Sequence, residues 1–280
     1  MTSSSHRDAP PMALTIAGSD SSGGAGIQAD LKTFAALGVY GASVLTALTA
    51  QNTCGVRAVH TPPADFVTAQ IGAVLDDLAI GAVKTGMLAN AAIVMAVAAA
   101  LARRPDLPVV VDPVMVATSG DSLLEPDAVA AMTGCLIPRA MLITPNLPEA
   151  AALLGARIAG DEAEAEAQAR ALLALGCRAV LVKGGHRAGR EAVDLLATAD
   201  GGIERIAAPW VETGNTHGTG CTLSAAITAL LACGATLGEA VREAKRYLTA
   251  ALEAGRGLKI GAGHGPVDHL RGSWRRRSPS

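Results

Sequence analysis

The chain has 280 residues, half of them hydrophobic and only 2% aromatic, and its formal net charge is −2. This balance gives no reason to expect nucleic acid or an anionic membrane as a partner. Five scattered cysteines, an odd number, fit reduced thiols better than a disulfide framework or a zinc site. The polar N-terminus has no apolar signal core, and the longest apolar runs are too short to span a bilayer. We therefore predict a cytoplasmic protein.

Strand-like and helix-like segments alternate along the chain. Continuous apolar strands between helices are typical of a mostly parallel sheet covered on both faces. We predict a disordered tail over 1–12, a single domain over 13–270 and a basic flexible tail over 271–280. The predicted strands are 13–17, 42–50, 82–85, 109–111, 141–144, 179–183, 192–196 and 203–207. The predicted helices are 27–37, 64–78, 90–103, 162–175, 221–233 and 237–254.

A glycine-bearing turn, with Gly218, Thr219 and Gly220, leads into the predicted helix that begins at Cys221. The first backbone N–H groups of a helix have no intrahelical acceptor, and this end of the helix dipole is positive. The pattern therefore predicts an anion site that suits a phosphate. A helix N-terminus also biases a thiol towards thiolate, so Cys221 is a candidate base, although a bound phosphate would oppose that bias. The alternative is a buried structural cysteine.

Polar residues follow several predicted strands, and ligands of open α/β sheets bind beyond those carboxyl ends. The side-chain amide of Gln51 offers the donors and the acceptor that match an aminopyrimidine edge. A residue that only bonds the backbone is the alternative. Lys183 follows another strand and could meet nucleotide phosphates as a point charge. The alternative is a lysine that extends its amine to solvent.

The segment Asn146-Leu147-Pro148-Glu149 follows the strand after that of Asp112. Carboxylate and amide oxygens suit Mg²⁺, which takes few protein ligands together with waters and substrate phosphates. Asn146 and Glu149 also have the spacing of a capping box at a helix start. Both interpretations can hold together. The glycine-rich loop 18–30 matches neither a dinucleotide fingerprint nor a Walker loop.

Seven ordered motifs together resemble the ribokinase-like superfamily, and more narrowly the hydroxymethylpyrimidine/phosphomethylpyrimidine kinases of thiamine biosynthesis. The resemblance extends from about residue 13 to residue 269. The motifs are AGSD with SGGAGIQAD after it, AQN, KTGML, VDPVM, TPNLPEA, KGGH and THGTGCTLS.

The resemblance implies a three-layer α/β/α sandwich of the ribokinase-like type. It implies transfer of the γ-phosphoryl of ATP, with Mg²⁺, to 4-amino-5-hydroxymethyl-2-methylpyrimidine and then to the resulting monophosphate. Relatives of this kind are commonly homodimers. A pyridoxal/pyridoxine kinase and a non-catalytic pyrimidine sensor remain as alternatives.

The resemblance also implies roles for single residues. Cys221 stands where most sugar kinases of the superfamily have an aspartate base, behind an anion hole of Gly218, Thr219 and Gly220. The other roles are pyrimidine recognition by Gln51, a pocket wall of Gly18, Asp30, Met87 and Val114, a magnesium and phosphate region of Asp112, Asn146 and Glu149, and a nucleotide-side position at Lys183.

Overall fold

A single sheet runs through the part of the chain described by this computed structural model, which covers residues 9–115, 125–184 and 190–271. Its strands are β1 (Met12–Asp20), β2 (Tyr40–Asn52), β3 (Gly55–His60), β4 (Ala82–Thr85), β5 (Val109–Val111), β6 (Leu142–Ile143), β7 (Ala179–Lys183), β8 (Glu191–Thr198) and β9 (Ile203–Pro209). They are ordered β3-β2-β1-β4-β5-β6-β7-β8-β9.

The six strands from β2 to β7 in this order are parallel, and β3, β8 and β9 pair antiparallel at the two ends. β1 pairs with both β2 and β4, so the connections leave it in opposite directions. In sheets of this kind the ligand crevice opens at the carboxyl ends of the strands where the order reverses. The topology therefore places the candidate site beyond the end of β1.

Helices cover both faces of the sheet. They are α1 (Gly26–Ala36), α2 (Ala64–Leu75), α3 (Ala91–Ala102), α4 (Pro126–Ala131), α5 (Leu147–Leu154), α6 (Glu162–Leu173), α7 (Thr219–Ala232) and α8 (Leu237–Gly255). Helices α1, α7 and α8 pack together on one face, while α2 to α6 cover the other. This arrangement confirms the predicted α/β/α sandwich with a mostly parallel sheet.

Alternate residues of the short central strands enter opposite cores, as the two-residue period of a strand requires. Val109 and Val111 pack in the larger core under α2 to α6, whereas Val110 packs under α7 and α8. The parallel strands thus have apolar residues on both faces, which is why they read as continuous apolar runs in the sequence.

Several predicted boundaries differ from the structure. The predicted tail 1–12 is too long, because Met12 already pairs with Tyr40 in the sheet. The rest of that tail up to residue 8, and residues 272–280 of the C-terminal tail, lie outside the described residues. Strand β3 and α4 were not predicted. After α4 the chain continues through a π-helical turn and a 3₁₀ turn over 132–139.

Within the described residues, no helix combines the length and the low polarity that a bilayer crossing requires.

The N-terminus of α3 is capped by Asn90. The side-chain oxygen of Asn90 accepts a hydrogen bond from the N–H of Ile93 at 3.0 Å. Replacing Asn90 with Ala should lower the free energy of unfolding by about 1 kcal/mol, because the backbone N–H of Ile93 loses its acceptor. Urea unfolding measures the loss. Asn90→Asp keeps an oxygen acceptor and should stay close to the wild type, so equal losses in both variants would contradict the capping role.

Candidate active site

The N-terminus of α7 lies at the carboxyl edge of the sheet, and its cap is Gly218 in the left-handed region, with φ +78°. A Cβ on Gly218 would lie 1.9 Å from the carbonyl oxygen of Gly24, so no other residue fits this approach. Helix geometry leaves the N–H groups of Gly220 and Cys221 without intrahelical acceptors. The N–H of Thr219 differs, because it donates to the carbonyl of Thr216 at 3.2 Å. The available anion donors are thus Gly220 and Cys221 rather than Thr219.

The thiol of Cys221 is half-buried beside this helix end. Burial raises the pKa of the Cys221 thiol to about 11, although the nearby Lys84 ammonium and a hydrogen bond from the N–H of Gly26 act in the opposite direction. The carboxylates of Asp30 and Asp112 raise it further. The expected bias towards thiolate is therefore wrong for this structure, since desolvation outweighs the stabilising groups.

A fully buried ion pair lies beneath the site and corrects the role given to Asp30. The Lys84 ammonium donates to both carboxylate oxygens of Asp30, at 2.8 and 2.7 Å, and the hydroxyl of Thr15 donates to the same carboxylate at 2.6 Å. Both charged side chains are inaccessible to solvent. Asp30 is therefore not part of a pocket wall. Burial by itself would lower the pKa of Lys84, but Asp30 raises it above its ordinary value. Burial is also the largest influence on Asp30 and raises the pKa of its carboxyl group.

A second charged group brings together residues from three strand ends. The ammonium of Lys183 lies 2.9 Å from Asp112 and 3.7 Å from Glu149. Asp112 also accepts hydrogen bonds from the hydroxyls of Thr144, at 3.0 Å, and Ser224, at 3.1 Å. Burial raises the pKa of Asp112, but Lys183 and Lys84 outweigh it and hold that pKa below its usual value. Asp112 is thus an ionised carboxylate in a ring of donors.

This charged group adjoins the anion site. A Cβ on Gly220 would lie 3.2 Å from the Lys183 amine and 3.9 Å from an oxygen of Asp112. The amine of Lys183 therefore lies close to Gly220, so the charge predicted to meet a nucleotide phosphate is next to the predicted anion site.

Asn146 and Glu149 form the predicted capping box. The N–H of Asn146 donates to the carboxylate of Glu149 at 2.7 Å, and the N–H of Glu149 donates to the side chain of Asn146 at 2.8 Å. This pairing holds one oxygen of Glu149 against the backbone. Burial is the largest influence on Glu149 and raises its pKa.

An apolar wall forms where β1, β2 and β4 end. Met87 packs with Ala47 and Ala89, and Val114 packs against this cluster. A Cβ on Gly18 would lie 3.0 Å from the sulfur of Met87, so Gly18 adjoins the same wall. The structure therefore brings together three of the four residues predicted to line the substrate pocket.

Gln51 lies at the end of β2 beside the loop that follows β1. Its side-chain oxygen accepts a hydrogen bond from the hydroxyl of Thr49 at 3.0 Å, and its backbone exchanges hydrogen bonds with the side chain of Ser21. These contacts fix the amide group close to the loop without using its N–H₂ donors.

One contact at the site has no signal in the sequence. The ring of His217 lies 2.8 Å from the carboxylate of Asp20, and both side chains are buried. The two residues are 197 positions apart. Because no motif spacing links the two residues, the sequence predicts no role for His217.

Comparison with known proteins identifies the family. The family model described as "Phosphomethylpyrimidine kinase" matches residues 20–268. The chain belongs to this family. Among curated relatives, the hydroxymethylpyrimidine/phosphomethylpyrimidine kinase of Rhizobium meliloti is 58% identical over 264 residues, which cover 94% of this chain and 98% of the relative. The enzyme of the same name from Salmonella typhimurium is 56% identical, with the same coverage.

Solved structures agree with the family. Pyridoxal kinase of Bacillus subtilis, in an ADP complex, superimposes with a TM-score of 0.86 at 38% identity and covers 93% of this chain and 98% of that one. Phosphomethylpyrimidine kinase of Clostridium difficile gives a TM-score of 0.76 at 45% identity, covering 86% and 99%. This family member is thus a phosphotransferase that uses ATP as co-substrate.

Replacing Lys84 with Met should destabilise this kinase by about 3–5 kcal/mol, because it leaves the Asp30 carboxylate buried without its counter-charge. Chemical unfolding at neutral pH measures the change. The double variant Asp30→Leu with Lys84→Met removes both charges and should recover a large part of the loss. If Lys84→Met lowers the free energy of unfolding by less than about 1 kcal/mol, the buried Asp30 carboxyl group does not need the charge of Lys84.

Proposed function

We propose that this kinase transfers the γ-phosphoryl of ATP to the hydroxymethyl group of 4-amino-5-hydroxymethyl-2-methylpyrimidine, and then phosphorylates the resulting monophosphate to the diphosphate. One observation supports this most: the loop after β1 adjoins both halves of the site. Gly18, just before this loop, flanks the apolar wall at Met87, and Gly24 within the loop packs against Gly218, the cap of α7. A flat aromatic ring with its face on that wall would hold its hydroxymethyl group close to the anion donors.

Phosphoryl transfer depends on alignment and on stabilisation of spreading negative charge. The N–H groups of Gly220 and Cys221 are fixed donors that need no rearrangement when the charge develops. Lys183 adds a full positive charge beside Gly220. These groups would hold the moving phosphoryl while the wall at Met87 and Val114 keeps the acceptor in line.

Asp112 and Glu149 fit a hydrated Mg²⁺ that arrives with the nucleotide. Mg²⁺ is usually bound through one or two carboxylates plus waters and phosphates, which needs no complete protein cage. No group of three or more acidic, histidine or cysteine ligands occurs in the described part of the chain, and this agrees with a metal that substrate phosphates complete. When bound, the ion would neutralise phosphate oxygens. Asn146 would keep Glu149 directed by their capping box.

We assign Cys221 as the base that takes the hydroxymethyl proton in the first step. With a pKa of about 11, only a small thiolate fraction exists at neutral pH, but that thiolate is a strong base. The second step differs, because its acceptor is a phosphate oxygen that is already ionised. The two reactions therefore make different demands on one residue.

A coupled ADP-release assay with ATP, Mg²⁺ and a panel of alcohols tests the function. We expect turnover on the aminopyrimidine alcohol and on its monophosphate. Pyridoxine is the second candidate acceptor, because pyridoxal kinases superimpose with TM-scores of 0.86. Faster turnover on pyridoxine would overturn the assignment, and binding of the pyrimidine without any ADP release would favour the sensor.

Cys221→Ala should slow the first phosphorylation by roughly 10²–10⁴-fold, the usual contribution of a general base, and slow the second much less. Both rates are measured on the same preparation. The wild-type first step should also accelerate with rising pH, since the thiolate fraction grows, and the variant should not. Near-full activity, or equal losses in both steps, would remove the base assignment.

Gln51→Leu should weaken binding of the aminopyrimidine by roughly 1–3 kcal/mol, because the ring edge loses its hydrogen-bond partner. Calorimetric titration without nucleotide measures the Kd. Gln51→Glu keeps the oxygen that Thr49 contacts but loses the amide donors. It therefore separates the contact with Thr49 from recognition of the pyrimidine edge. An unchanged Kd in Gln51→Leu would show that another group reads the ring.

We further propose that the kinase acts as a homodimer in the cytoplasm. Large apolar side chains on β2 and β3 support an interface there, since Tyr40, Leu48 and Val59 are each about half exposed, at 54%, 45% and 44%.

A further inference from the structure

We propose that Asp20 and His217 form a latch that sets the distance between the phosphoryl site and the acceptor pocket, so that both are positioning residues of the transfer reaction. The proposal deepens the proposed function and rests on it. It assigns the two residues no contact with substrate.

Asp20 organises the loop after β1, which we call the first loop (residues 20–26). Its carboxylate accepts hydrogen bonds from the backbone N–H groups of Ser22 at 2.8 Å, Gly24 at 3.2 Å and Ala25 at 2.8 Å. The hydroxyl of Ser22 donates to it as well. One carboxylate therefore fixes the path of the whole loop, and any shift of Asp20 moves the loop with it.

His217 holds the other side of the contact. It immediately precedes Gly218, the cap of α7. Its ring nitrogen Nε2 lies 2.8 Å from the Asp20 carboxylate, and its backbone N–H donates to the carbonyl of Gly265 at 3.0 Å. The side chains of His217 and Asp20 are 7% and 3% exposed. The histidine thus ties the start of α7 to the first loop in a site closed to water.

The backbone of the first loop packs against the backbone that leads into α7, with no space for a side chain between them. A Cβ on Gly24 would lie 2.4 Å from the ring of His217, and one on Gly218 would lie 1.9 Å from the Gly24 carbonyl. The hydrogen bond therefore acts on two segments already in contact, where a small shift in one is passed to the other.

The latch stands between the two half-sites. Gly18 lies just before the first loop and adjoins Met87, while Gly24 within the loop packs against Gly218, the cap of α7. Breaking the latch leaves the apolar wall and the α7 donors each intact. What it alters is their separation, and a misplacement of about 1 Å can slow transfer by about 10²-fold.

The test separates alignment from binding and from stability. We compare His217→Ala, His217→Gln and Asp20→Asn for kcat in both phosphorylations, for the separate Kd values of the aminopyrimidine and of a non-hydrolysable ATP analogue, and for Tm. Ser22→Ala is the matched control, because it removes a hydrogen bond to the same carboxylate and leaves His217 in place.

We expect His217→Ala to lower kcat by about 10- to 100-fold in both steps while each separate Kd stays within about twofold. His217→Gln keeps a donor and should recover part of kcat, and Ser22→Ala should stay near the wild type. The double variant Asp20→Asn with His217→Ala should lose no more than the worse single variant, because the two residues act as one unit.

Unchanged kcat in a folded His217→Ala protein would overturn the latch. The latch would also be overturned if the loss of kcat followed the loss of Tm in the same way in His217→Ala and in Ser22→Ala. If His217→Ala does not fold, the comparison of His217→Gln with Asp20→Asn decides by the same criteria. Failure of the proposed function shows separately, as absent wild-type turnover on the aminopyrimidine. The latch is then measured with the best alcohol of the panel.

Discussion

The close approach of Gly218 to the carbonyl of Gly24 is the constraint on which the rest of the site depends. It requires a residue with no side chain in a left-handed conformation, immediately before a helix. Because the chain turns there, α7 begins at the carboxyl edge of the sheet and directs its first N–H groups at the crevice. The same approach brings the first loop against the helix end, so one contact positions both the proposed anion site and the proposed acceptor wall.

Two buried charged groups support that edge from below. The pair of Asp30 and Lys84 links α1 to β4, and the group around Asp112 and Lys183 links the ends of β5 and β7 to α7 through Ser224. Buried charges persist only where partners compensate them, and here each carboxylate oxygen has donors. The result is a set of fixed charges that need not reorganise during transfer. Burial also raises the pKa of the Cys221 thiol, to about 11.

The sequence predicted those parts of the molecule that local chemistry determines. Apolar runs such as 109–111 must be buried strands whatever surrounds them, and the spacing of Asn146 and Glu149 specifies a capping box before any tertiary contact forms. Glycines before an apolar run predicted the start of α7 for the same reason, and the anion site at that helix end stays a prediction. The wall of Gly18, Met87 and Val114 followed from the resemblance and lies together in the fold.

What the sequence did not predict depends on long-range contacts. Strand β3 has mostly exposed residues and, among the residues that the structure describes, pairs with β2 alone, so it has no buried pattern to recognise. The burial of Asp30 depends on Lys84, 54 residues away, and the partner of His217 is 197 residues away. The pKa of Cys221 reflects desolvation by segments that meet only in the folded protein.

The central claim is that the N–H groups at the start of α7 hold the moving phosphoryl beside the acceptor alcohol. A crystal structure with ADP, Mg²⁺, aluminium fluoride and the aminopyrimidine alcohol tests it most directly, because the fluoride complex occupies the position of the transferred group. We predict that this complex lies about 3 Å from the nitrogens of Gly220 and Cys221, with the pyrimidine ring against Met87. A fluoride complex bound away from α7, or a ring outside that wall, would contradict the account.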